Sequence, residues 1–163
     1  MSKATPAAIA VLRQATALRP TRKKISDGLL PSAAHRKASP DSDHNKGLAV
    51  DLTHDPKNGI DCEKIFEKLK EDERVEYLIF NKKIWSRAKA DAGNRPYIGS
   101  NPHTKHLHIS INSGCGSDTS PWFWWMNSPK PINQIIAALS SLPAKKVYKT
   151  EVCTCCKLHG VKS

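Results

Sequence analysis

Apolar residues recur along this chain with two different periods, and the changes between them mark out its elements. Ile9, Leu12, Ala15 and Leu18 fall at helical spacing, and Thr5-Pro6 ahead of them reads as an N-cap followed by a first-turn proline. An amphipathic core helix is expected there rather than a secretory signal, because Arg13 interrupts the alanine-rich run. Residues 19–45, with prolines at 20, 31 and 40, read as a polar loop. "GLAVDLT" (47–53) alternates like a half-buried strand. "GIDCEKIFEKLKEDE" (59–73) sets Ile60, Ile65, Phe66 and Leu69 on one helical face. "VEYLIF" (75–80) is a strand that "KIWSR" (83–87) can pair with across "NKK", and residues 88–102 read as loop. "HLHISI" (106–111) alternates strictly, and a further helix is expected near 131–142. Helices mixed with non-contiguous strands predict an α+β fold.

Alternation also sorts the side chains that carry chemistry. In "HLHISI", Leu107, Ile109 and Ile111 share the core face, while His106, His108 and Ser110 share the other. In "GLAVDLT", Leu48, Val50 and Leu52 point to the core, leaving Asp51 among Gly47, Ala49 and Thr53. His44 precedes Asp51 by seven residues and can turn back toward it. One Asp and two His make a three-ligand catalytic zinc set with a fourth position open to water. Zinc lowers the pKa of bound water from ~15.7 toward ~7. The other histidine of the His-x-His pair is then free to move protons. Taken singly, each element has a plainer reading, as a surface histidine, a polar turn or a basic contact; the combination favours the metal.

Composition adds a surface and a size. The chain has 163 residues and a formal charge of +11, from 26 Lys+Arg against 15 Asp+Glu. That suits one domain, 1–163, drawn to polyanions. No apolar run approaches the ~20 residues of a membrane span. Five cysteines, an odd number, argue for synthesis in a reducing cytoplasm. Cys153, Cys156 and His159 resemble half a zinc knuckle without a clear fourth ligand, and are read as free thiols. "SPWFWWMNSP" (120–129) is read as packing over the sheet, with an aromatic platform for sugars or peptides as the alternative. Tyr97 is a cleft-lining or loop-anchoring side chain, and Arg36 or Arg95 could clamp a carboxylate.

"SDHNKGLAVD" (42–51) resembles the S-x-H-x-x-G-x-A-x-D motif of the D-Ala-D-Ala metallopeptidases, which include VanY-like carboxypeptidases and phage endolysins. "HLH" (106–108) is similar to the downstream H-x-H of the wider lysostaphin–hedgehog superfamily, and the likeness covers roughly residues 25–112. It implies a hedgehog/DD-peptidase-like fold, a small antiparallel sheet with helices packed on one side. It implies one catalytic Zn2+ and hydrolysis of peptidoglycan stem-peptide or cross-link amides. His44 and Asp51 would be ligands, Ser42 would steady the ligand loop, Gly47 and Ala49 would give clearance, and Arg36 would meet a substrate carboxylate. D-Ala-D-Ala enzymes place an acid three residues before the last ligand, but here those positions hold His103 and Lys105. The H-x-H pattern then makes His108 the third ligand and His106 the base, with His103 as second candidate; the reverse register remains open.

The expected partner is peptidoglycan, with anionic wall or outer-membrane polymers beside it and nucleic acid the lesser expectation. The protein is expected to be a monomer, made without a signal peptide and acting on the bacterial wall after release or delivery. Two rivals stand beside the enzyme: a non-catalytic, zinc-containing basic module binding wall polymer or nucleic acid, and a hedgehog-like domain that keeps the metal without the base.

Overall fold

A computed structural model describes residues 3–126, which fall within one compact unit. The helix expected near 131–142, the basic cysteine-bearing end and residues 127–129 of the Trp/Pro stretch lie outside the described residues.

Nine principal elements follow in chain order. They are α1 (Pro6–Leu18), α2 (Ala33–Ala38), α3 (Asp43–Lys46), β1 (Ala49–Thr53), α4 (Cys62–Leu69), β2 (Val75–Phe80), β3 (Lys83–Ser86), β4 (Arg95–Pro96) and β5 (His106–Ile111), with short 3-10 turns between some of them. The strands form one antiparallel sheet in the order β1-β5-β2-β3-β4. The fold is therefore α+β. The last strand in sequence lies inside the sheet, paired on both edges: Asp51 faces His108 across β1/β5, and Ile79 faces His108 across β2/β5.

One face of the sheet is the core, as alternation requires. Val50, Leu52, Leu107, Ile109 and Ile111 are buried there with Ile65, Phe66 and Leu69 of α4 and Val11 of α1. Each such side chain contributes roughly 1.5–3 kcal/mol by leaving water. Trp122 and Phe123 are also buried in this core, so that part of the aromatic stretch packs as expected.

Several expectations are corrected in detail. Thr5 does cap α1, accepting from the Ala8 N–H, but the fully buried face is Ala7, Ala8, Val11 and Ala15. Ile9 is 37% exposed. Leu12 and Leu18 are partly buried and pack against the same core. The segment 19–45 is not all loop, since Ser32 caps α2 through the His35 N–H and α3 follows. The helix expected over 59–73 is shorter, Cys62–Leu69. Beyond Leu69 no apolar residue needs a helical face, and Asp72 turns inward to pair with Arg74 at 2.6 Å. The segment 88–102 contains β4 as well as loop. The β2–β3 hairpin turns on Asn81 and Lys82, both with positive φ (47° and 62°), as a two-residue turn matching strand twist demands.

Candidate metal centre

The polar face of β1 and β5 opens into a cleft of ≈ 580 Å³. Its floor carries Asp51, His106 and His108, and its walls come from the α2–α3 segment and the loop before β5. Asp51 sits at mid-strand with its backbone held on both sides. It faces His108 on β5, and it exchanges two backbone hydrogen bonds with Gly28 at 2.8 and 3.1 Å. A Cβ on Gly28 would lie 2.9 Å from Asp51 Oδ2, so only glycine leaves the carboxylate its place.

Three imidazoles converge on a single oxygen. From Asp51 Oδ1, His108 Nδ1 is 3.0 Å away, His44 Nε2 3.3 Å and His106 Nε2 3.8 Å. His44 comes from α3, one helical turn closed by Gly47 in the left-handed conformation (φ 72°). Asn45 ties that turn to the Ser39 and Pro40 carbonyls, both at 2.8 Å. His44 Nδ1 donates to the Leu29 carbonyl at 3.0 Å, which leaves the lone pair of neutral His44 on Nε2, toward Asp51. His108 is 5% exposed and stacks on Tyr77, with ring centroids 5.4 Å apart. Its Nδ1 meets Asp51 Oδ1, while its Nε2 is buried with no hydrogen-bond partner among the described residues.

Charge follows the geometry. Burial works against the Asp51 carboxylate, yet hydrogen bonds from His108 and His44 and their charges hold its pKa well below the carboxylate range. Burial lowers the pKa of His44, but the hydrogen bond and charge of Asp51 outweigh it, and the net shift is upward. His103 is pushed down to about 4 by burial and by the neighbouring His108 and His106. His106 is also lowered, first by burial, against the pull of Asp51.

His44, Asp51 and His108 form a possible metal-binding triad, since one ligand atom from each lies within 4.8 Å of the others. Two imidazole nitrogens and a carboxylate oxygen, with one histidine already fixed by a backbone carbonyl, fit the donor set of a divalent transition metal. Among the described residues, neither His103 nor Cys115 joins the set.

The remaining site residues are brought to the same cleft, with one exception. His103 is 8% exposed with φ 51°, donates from Nδ1 to the Asn101 carbonyl at 2.6 Å, and lies 5.0 Å from the His106 ring. The turn between β2 and β3 pins its loop, through Asn81 N–H to the His103 carbonyl (3.0 Å) and Lys82 N–H to Pro102 (2.9 Å). Tyr97 lines the cleft edge-on to His103 at 5.4 Å, and the Ser42 hydroxyl lies 3.4 Å from His35 Nε2. Arg36 is exposed on α2 and His35, not Arg36, lines the wall; Arg95 is bound to Ser86 at 2.8 Å. Gly47 gives clearance elsewhere than expected, because a Cβ there would strike the Lys3 carbonyl rather than enter the cleft. Sequence reasoning missed Gly28, Leu29 and Tyr77. Only Gly28 left a trace, as a glycine inside a polar stretch.

A family model described as VldE, C-terminal domain, matches residues 2–108 of the 163. No curated protein and no solved structure matches the chain. The matched span begins just before α1 and ends on His108, so it contains all three members of the triad. The chain belongs to the family described as VldE, C-terminal domain.

Proposed function

We propose that the protein is a zinc-dependent peptidoglycan hydrolase that cleaves stem-peptide or cross-link amide bonds. The observation that carries the reading is the convergence of His44, Asp51 and His108 at the floor of an open cleft, with His106 and His103 beside them. The likeness of "SDHNKGLAVD" and "HLH" to the D-Ala-D-Ala metallopeptidases points to the same chemistry. A zinc ion at the triad would supply a Lewis acid that polarises the scissile carbonyl and acidifies water.

The chain's own residues would do the rest. His44, Asp51 and His108 would hold the ion. His106 Nε2, near the same oxygen, takes a proton from the attacking water and passes it to the leaving amine. His103 keeps its Nδ1–H on Asn101 and presents the Nε2 lone pair to the cleft, where it accepts a hydrogen bond from water or from a substrate N–H. The cleft continues past His106 and Asn101 into a second groove of ≈ 430 Å³, which suits a peptide extending to both sides of the reacting bond. The formal charge of +11 would hold the enzyme near anionic wall polymers.

The test is clearing of purified sacculi from several wall types, with and without a chelator, followed by mass spectrometry of the fragments. Chelator-sensitive clearing and new amine termini are expected. Zinc binding without any clearing would favour a non-catalytic basic module instead. Structural zinc normally takes four protein ligands, whereas the triad supplies three among the described residues.

A further inference from the structure

Behind the triad lies a polar cluster that the hydrolytic reading does not use. Asp43, the residue before His44, accepts a hydrogen bond from Ser110 Oγ on Oδ2 at 2.5 Å and from Lys46 Nζ on Oδ1 at 2.9 Å. Ser110 is fully buried, two residues beyond His108 on the same face of β5, and pairs across the sheet with Tyr77 of β2. Tyr77 lines the cleft beside this pair, and its ring stacks on His108 at 20° between planes. The backbone carbonyl of Asp43 also accepts from the Leu48 N–H at 3.0 Å, closing α3 onto β1.

We propose that Asp43, Ser110 and Tyr77 are positioning residues, a clamp that joins α3 to β5 and sets the separation of His44 and His108 for the metal. α3 is one turn long and its histidine lies sixty-four positions before His108, so chain connectivity does not fix their distance. The Asp43–Ser110 bond spans that gap, and neither residue lines the cleft. Tyr77, paired with Ser110 across the sheet, presses on the face of the His108 ring. This inference rests on a metal at the triad, as the proposed function does, but not on the reaction performed there.

The test is zinc affinity, measured by competition with a chromogenic chelator, together with the visible spectrum of the cobalt-substituted protein. Ser110→Ala and Asp43→Asn should each weaken zinc binding by about 10–100-fold and shift the cobalt bands. Tyr77→Leu, which removes the stacked ring, should act in the same direction. The Asp43→Asn/Ser110→Ala double variant should be little weaker than either single one, because both remove one bond. If Asp43→Asn does not fold, Ser110→Ala, which deletes a single oxygen, still decides. Parental zinc affinity in Ser110→Ala, or strictly additive losses, overturns the clamp. A parent protein that binds zinc but clears no sacculi overturns the hydrolase and leaves the clamp standing, whereas a parent that takes up no zinc overturns both.

Discussion

The Nδ1–H of His44 is held by the carbonyl oxygen of Leu29 at 3.0 Å, and this one bond decides which nitrogen faces Asp51. A backbone oxygen only accepts, so Nδ1 keeps its proton, and whenever the ring is neutral the Nε2 lone pair is presented to the cleft. The loop before α2 therefore takes part in the triad without supplying a ligand.

Removing any member of the triad should remove the metal. His44→Ala, Asp51→Ala and His108→Ala are each expected to fall from about one zinc per chain to near none. Elemental analysis after dialysis is the measurement. Retention by His108→Ala together with loss by His106→Ala would reverse the assignment of the two β5 histidines.

His106 should separate metal from catalysis. His106→Ala is expected to keep its zinc and lose about 10²–10⁴-fold in the rate of peptide release, the range for a lost proton-transfer group. His103→Ala should also keep zinc, with a loss of rate. A full-rate His106→Ala enzyme would move the proton-transfer role to another residue.

Two glycines should respond in opposite ways. Gly47→Ala forces a left-handed backbone on alanine and drives its Cβ into the Lys3 carbonyl, so stability should fall by at least about 1–3 kcal/mol. Gly28→Ala meets Asp51 Oδ2 at 2.9 Å, so it should weaken zinc binding by about tenfold or more with the smaller loss of stability. Thermal melting of the zinc-free proteins and zinc competition distinguish them. Equal effects of both substitutions on both readouts would contradict the placement of Gly28.

Acid should release the support beneath β1. Burial raises the pKa of Asp27, but hydrogen bonds from Arg22 and Thr53 outweigh it and hold the carboxyl below its ordinary value of 3.8. The unfolded chain therefore binds the proton first as pH falls, and this contribution to stability is full above the ordinary value and lost as pH drops through the folded one. Urea midpoints of the parent should decline over that window, and Asp27→Asn should decline less steeply. Identical slopes would remove Asp27 from the acid response.

The sequence disclosed what is periodic or contiguous. Leu107, Ile109 and Ile111 announced the core face of β5, and the same alternation placed His106 and His108 together on the other. His44 and Asp51 were legible because seven residues suffice for one helical turn and a strand entry. Gly28 and Leu29 were not, because Gly28 acts through a backbone bridge to Asp51 more than twenty residues away and Leu29 through a carbonyl that meets His44 fifteen residues on. Tyr77 carried no chemical flag of its own; β2 had to be laid against β5 before its ring met His108. In α1 the expected Ala15 is fully buried and Leu12 and Leu18 pack against the core, while Ile9 is exposed and Ala7, Ala8 and Val11 complete the buried face.

The central place of β5 has one more consequence. Asp51 and His108 are direct partners across two antiparallel strands, and His108 is paired on its other side with Ile79. A slip of one residue in β5 would bring Leu107 or Ile109 opposite Asp51 and turn His108 toward the apolar face. Misaligned sheets would then have no means of gripping the ion, and only chains with correct strand pairing could do so. Metal uptake at the triad would thus serve as a proofreading signal, reporting at a single point whether β1, β5 and β2 have been assembled in step.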